Sequence, residues 1–264
     1  MRKIRCLVAA VLAAGIVTVV AAQPGGGFGF GGGFGDTTMM VLTNAALQDE
    51  LKLTDAQKAK FKEAATKQAE QVKKTMEGMK DKFADAQGDK EKMTELFTGM
   101  QKETAKITAE ARKVVDAELT AEQKKRLKEI GVQMMGARVF SEPTEGKGGF
   151  GGTSEADKAT MKAVADALKL TDDQKSKIKG LVDELNKDRA SVRKDIFGET
   201  KGGFGKAPDP DKQKEFNTKS AKLTKETMGK IADVMDDTQK AAWKGLVGEP
   251  FDTSKLFQLP PKKD

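Results

Sequence analysis

Histidine and tyrosine are absent from this sequence, and its single cysteine, Cys6, lies in an apolar N-terminal run. That leaves no serine–histidine or cysteine–histidine catalysis, no imidazole metal site and no histidine switch near neutral pH. Carboxylates and lysines are plentiful, but no metal-ligand spacing, nucleophile elbow or phosphate loop organises them. The residues that do recur at fixed spacing can do hydrogen-bonding chemistry. A hydroxyl or carboxylate stands three places before a glutamine in Thr54/Gln57, Thr120/Gln123, Thr171/Gln174 and Asp236/Gln239. Leu53, Leu119, Leu170 and Met235 precede these pairs, and Lys58, Lys124, Lys175 and Lys240 follow them. Three residues after each lysine comes a large apolar side chain: Phe61, Leu127, Ile178 and Trp243.

This spacing is that of a helix start. A threonine or aspartate N-cap accepts from the backbone N–H three residues on, and the glutamine there reaches back to the N-cap N–H. The resulting capping box satisfies two of the donors that every helix start leaves without partners. Asp55, Glu122, Asp172, Asp173 and Asp237 sit in the first turn, where the helix dipole favours negative charge. Lysine at the fourth helical position leaves no room for a full hydrophobic staple. One copy of the phrase would mark only a good helix; four copies with the same flanks are a repeat.

The elements that must carry these phrases follow from apolar periodicity. A short helix is expected over 37–50. The first phrase opens a long helix with Phe61, Ala65, Val72, Met76, Met79 and Phe83 on one stripe. Gly88 and Asp89 break it, and a second long helix carries Met93, Leu96, Met100, Ile107, Ala111 and Val114. The second phrase starts a helix with Leu127, Ile130, Met134 and Met135 that stops before Pro143. A similar succession follows from residue 154, with Ile178, Leu181, Leu185, Val192 and Ile196 on the helix of the third phrase. Asp209-Pro210-Asp211 restarts the chain as N-cap, first-turn proline and first-turn acid. The helix it opens carries Phe216, Leu223, Ile231 and Val234.

Leu53 and Leu119 are 66 residues apart, and Leu170 and Met235 are 65 apart. The expected class is therefore all-α, with two equivalent helical units at 37–143 and 154–251, joined by a linker at 144–153. A basic start and apolar run over 1–22 fit a secretory signal peptide. Residues 23–36 are too rich in glycine to hold a helix, and 252–264 reads as a loose tail. The Gly-x-Gly pieces lack the strand and Gly-Lys-Ser/Thr of a phosphate loop. Without Arg2, Lys3 and Arg5, the 47 basic residues fall to 44 against 40 acidic ones. This mixed, mildly basic surface is not a nucleic-acid footprint. No cofactor is implied. Phe61, Met76, Met79, Leu127, Met134, Met135, Ile178 and Trp243 form an apolar face that either packs a core or binds protein.

Leu-Lys-Leu-Thr-Asp-Ala-Gln-Lys at 51–58 and Leu-Thr-Ala-Glu-Gln-Lys-Lys at 119–125 resemble the Leu-Thr-x-x-Gln family of exported, Spy/CpxP-like helical proteins. The resemblance implies two tandem Spy/CpxP-like units of long antiparallel helices. It also implies a periplasmic or cell-envelope location; that no enzymatic activity is expected rests on the missing catalytic motifs. Its expected partners are unfolded clients, bound without ATP, or one envelope protein. No stable membrane insertion is expected after leader removal. The duplication suggests either a monomer holding both units or a homodimer. The family's metal-responsive branch uses histidine or cysteine ligands, which the mature chain lacks.

Overall fold

The computed structural model describes residues 36–144, 153–198 and 209–257. The expected leader at 1–22, the glycine-rich segment up to residue 35, and the later Gly-Phe pieces lie outside the described residues. Among the described residues the chain is all-α, with no strand. In order, the helices are α1 (Thr37–Met40), α2 (Ala45–Glu50), α3 (Asp55–Asp85), α4 (Lys90–Glu118) and α5 (Ala121–Met135). A 3-10 turn at Gly136–Phe140 follows α5. Then come α6 (Glu155–Leu168), α7 (Asp172–Phe197), α8 (Pro210–Val234) and α9 (Asp237–Val247), and a second 3-10 turn at Thr253–Phe257. Among the described residues no helix is long and apolar enough to cross a membrane.

Two hairpins dominate, α3 against α4 and α7 against α8. The first turns at Gly88, whose φ of +93° suits glycine. Asp89 then caps α4, its carboxylate accepting from the backbone N–H of Glu91 (3.0 Å) and of Lys92 (3.1 Å). The Lys92 bond is the main reason its carboxyl is held below the ordinary value of 3.8. The chain divides by contacts into two compact units. The first runs to Leu127 and takes in the turn at Thr253–Phe257; the second takes Lys128–Thr144 and Glu155–Phe251. The division falls inside α5, ahead of the linker expected at 144–153.

In the first unit the buried side chains gather where the phrases lie. Val41, Leu47, Phe61 and Val115 are fully enclosed, and Leu53, Leu119 and Leu127 are buried with them. Each such apolar side chain contributes about 1.5–3 kcal/mol by leaving water. On α3, burial ends at Ala64. Beyond it Val72, Met76, Met79 and Phe83 are only half-buried, until Phe83 meets Phe97 edge-on near the turn, with 5.4 Å between ring centroids. In the second unit Met161, Val164, Leu168, Ile178, Val182, Leu185, Ile231 and Met235 make a continuous core, joined by Met135 and Val139.

Several expectations need correction. The helix expected over 37–50 is broken at 41–44, because the Asn44 side chain accepts from Leu47 N–H (3.0 Å) and restarts the chain as α2. The buried stripes carry Ala64, Val115 and Val182, where Ala65, Val114 and Leu181 were expected. Each pair of adjacent apolar residues straddles the interface, and docking selects one of the two. Asp36, expected in the loose N-terminal segment, is buried and paired with Arg112. The expected loose tail begins with a fastened turn: Leu256 is buried, and its carbonyl accepts from Asn44 Nδ2 at 2.9 Å.

Candidate functional site

The recurring phrases meet in pairs. In the first unit Thr54 Oγ1 accepts from Gln57 N–H (3.2 Å), and Gln57 Oε1 accepts from Thr54 N–H (3.0 Å). Thr120 and Gln123 repeat this geometry at 3.2 and 3.0 Å. The two side-chain amides then bond each other. Gln57 Nε2 donates to Gln123 Oε1 (2.9 Å), and Gln123 Nε2 donates back to Gln57 Oε1 (3.2 Å). Their remaining N–H groups reach backbone carbonyls, Gln57 to Glu118 (2.7 Å) and Gln123 to Leu51 (3.1 Å). Each amide thus uses both donors and accepts at least two bonds, Gln57 Oε1 taking a third, longer one from the Thr54 hydroxyl (3.4 Å), so neither has spare capacity.

This clasp ties together three helix ends. Gln57 opens α3, Gln123 opens α5, and Glu118 closes α4 with a carbonyl that has no partner within its own helix. Two ion pairs flank it: Lys60 with Glu118 at 2.6 Å, and Arg126 donating from both Nε (2.8 Å) and Nη2 (2.6 Å) to Glu50 Oε1.

The second unit builds the same joint from different residues. Thr171 and Gln174 form the capping box of α7 at 3.2 and 3.0 Å. Asp236 takes the threonine's place before α9, its Oδ1 accepting from Gln239 N–H (2.8 Å) while Gln239 Oε1 accepts from Asp236 N–H (3.0 Å). Gln174 and Gln239 exchange amide bonds of 2.8 and 3.0 Å, and Gln174 also donates to the Val234 carbonyl at the end of α8 (2.9 Å). Asp236 therefore does the work of threonine, and the divergent fourth phrase keeps its geometry.

The leading side chains close over these joints. Leu53, Leu119 and Met235 are buried, and Leu170 is half-buried against the second core. Of the apolar face named from the sequence, Phe61, Leu127, Met135 and Ile178 are core residues. Trp243 packs partly on the second core, its ring 5.3 Å from that of Phe140. Met76, Met79 and Met134 remain half-exposed.

Sequence reasoning missed the inter-helix half of each glutamine's role, because the capping box alone accounts for a glutamine at that position. It also missed Gln133 on α5. The Gln133 amide donates to the carbonyls of Val247 (2.6 Å) and Glu249 (2.8 Å), and its oxygen accepts from Phe251 N–H (2.8 Å). Between them Gly248 turns the chain at φ +59° and ψ −152°, where a Cβ would collide with the Glu129 carboxylate. The Gly-Glu-Pro-Phe stop at 248–251 was the only sequence signal for this anchor.

The first unit's neutral, saturated amides have no proton to give at ordinary pH and no free donor for a substrate. Their chemistry is mechanical. Residues 40–131 match the family model described as LTXXQ motif family protein. No curated protein and no solved structure matches the chain.

Proposed function

From the LTXXQ motif family membership carried by residues 40–131, whose relatives are generally periplasmic helical proteins of the Spy/CpxP type, we propose an exported protein that binds other proteins through its helical faces. It acts without nucleotide, as a chaperone-like or envelope-stress component, and it is not an enzyme. The observation that carries this reading is the half-buried apolar stripe of the first hairpin. Past Ala64, Val72, Met76 and Met79 on α3, and Met93, Leu96 and Phe97 on α4, are incompletely covered. Methionine is flexible and polarisable, so such a stripe adapts to varied apolar segments. The clasps support the same reading, since they fix the helix ends and leave this stripe as the adaptable part.

The test is client aggregation followed by light scattering, without nucleotide. The mature protein should suppress aggregation near stoichiometric amounts. Met76→Glu with Met79→Glu should weaken suppression several-fold while leaving Tm within a few degrees, because both positions are already half-exposed. Equal suppression by the variant would remove the stripe from the mechanism.

A second reading is a structural module that docks one envelope partner. It is favoured by the burial of Phe61, Leu127, Met135 and Ile178, which leaves a small open face. Failure to protect several clients, together with capture of one envelope protein, would favour it.

We further propose that the chain is a tandem duplication in which two LTXXQ-type units share one polypeptide. The 66 and 65 residue separations of the two glutamine pairs, and their matching donor pattern, support this. Light scattering of the mature protein should then report a monomer. A stable dimer of whole chains would oppose it.

A further inference from the structure

We propose that residues 28–35 of the same chain dock on the first hairpin, laying Phe28, Phe30 and Phe34 along one half-buried flank of α3 and α4. Two contacts tell the flanks apart. Phe83 of α3 meets Phe97 of α4 on the proposed one. On the opposite flank Lys67, Gln71 and Glu110 line a notch of about 40 Å³, and Gln71 Nε2 donates to Glu110 Oε2 at 3.4 Å. Steps of four and seven residues stay on one side of a helix. They carry the first flank from Phe83 back to Met76 and Val72, and from Phe97 on to Thr104, Thr108 and Arg112. All of these side chains are half-buried. The same two contacts fix the antiparallel register, which sets Val72 level with Thr108 and Met76 level with Thr104.

The chain enters this flank at a fixed point. Asp36 stands at the head of α1, where an aspartate ordinarily caps its own helix. Here it makes no cap, and its buried carboxylate is paired with Arg112 of α4 instead. From Asp36 the chain runs through α1, which packs on α4 with Thr37 and Val41 buried, to the clasp, where the Leu51 carbonyl accepts from Gln123. The Asp36–Arg112 pair therefore marks a border. The base lies on one side of it, and the half-buried flank lies on the other.

The segment before Asp36 matches that flank in pattern and in length. Side chains alternate along an extended backbone, so Phe28, Phe30 and Phe34 fall on the same side as Asp36. Glycine fills every position between them, and without a Cβ the backbone can lie close against two helices. Phe34 is two residues from Asp36, roughly 7 Å when extended. Thr108 is four residues from Arg112, roughly 6 Å along α4. Phe28 is eight residues from Asp36, roughly 26 Å, and Phe97 is fifteen from Arg112, roughly 22 Å. The rings thus reach from Val72 past Met76, whose thioether is a favourable partner for an aromatic edge. The stripe read above as a client surface then carries a resident competitor. That consequence rests on the client-binding reading; the docking itself does not.

The test uses the full mature chain with methyl-labelled methionine. Phe28→Ser, Phe30→Ser and Phe34→Ser together should remove a ring-current shift from the Met76 methyl signal and leave Met228, in the second unit, where it was. Chymotrypsin should cut after Phe28 and Phe30 several-fold more slowly in the chain than in a synthetic peptide of residues 24–36. Val72→Glu should bring those rates to the peptide's. Should Val72→Glu disturb the hairpin, the serine variant still decides, since its changes lie outside the described residues. An unchanged Met76 signal, or peptide-like cleavage of the wild-type chain, would overturn the proposal. So would a Met76 shift that depends on protein concentration, which would give the flank to a second copy. In the client assay the serine variant should suppress aggregation at lower amounts. No suppression by either chain, with the Met76 shift present, refutes the client reading and upholds the docking.

Discussion

At the scale of the residue, each motif glutamine has two separable roles. It completes a capping box with its own N-cap, and it bonds a second glutamine far along the chain. Thr54→Ala removes only the first role and should cost about 1 kcal/mol. Gln57→Ala removes both and leaves the Gln123 amide and the Glu118 carbonyl short of partners, so it should cost about 2–3 kcal/mol. Urea denaturation of the two variants measures the difference, and equal costs would mean that the inter-helix bonds add nothing. A Gln57→Ala, Gln123→Ala double-mutant cycle should show coupling of about 1 kcal/mol or more. The capping half was legible because Thr-x-x-Gln has a fixed local geometry. The pairing half was not, because a sequence does not say which two caps share a junction.

At the scale of the element, helix starts and stops were readable, and the choice between adjacent apolar residues was not. Val114 and Val115 both lie near the stripe of α4; docking against α3 encloses Val115. The break at 41–44 was hidden because apolar spacing runs through it, whereas α1 closes at Val41 and Asn44 caps the next helix. Gly248 closes α9 in a region of backbone space open essentially to glycine. Gly248→Ala should therefore destabilise by about 2 kcal/mol, measurable as a fall in Tm, even where Glu129 swings aside. Asp89 gives the first hairpin a dependence on acid. Its folded pKa lies below the ordinary 3.8, so its contribution is fully present above that value and fades as pH falls through the lowered one. Amide exchange at Glu91 and Lys92 should accelerate only below that range, and Asp89→Asn should remove the pH dependence.

At the scale of the molecule, each unit joins a well-buried base to a hairpin with a thinner interior. In the first unit, α3 buries Gln57, Phe61 and Ala64 near its start and is half-buried or exposed from there to its end. Protection from hydrogen exchange should fall from the clasp towards the Phe83–Phe97 contact, because local opening follows buried contact density. Uniform protection along α3 would contradict this. The all-α class was legible from apolar periodicity, and the match of residues 40–131 to the LTXXQ family model from the phrases at 51–58 and 119–125. The contact division at Leu127 was not, because α5 crosses it without a break. The clasp holds three helix ends at one point and leaves the opposite end of a 31-residue helix unheld by any comparable joint. Mechanically, that is a cantilever. A small rotation at the base is multiplied along the roughly 46 Å of α3. The closed turn at the far end, with its Phe83–Phe97 contact, can therefore swing as one piece while no bond in the clasp is broken.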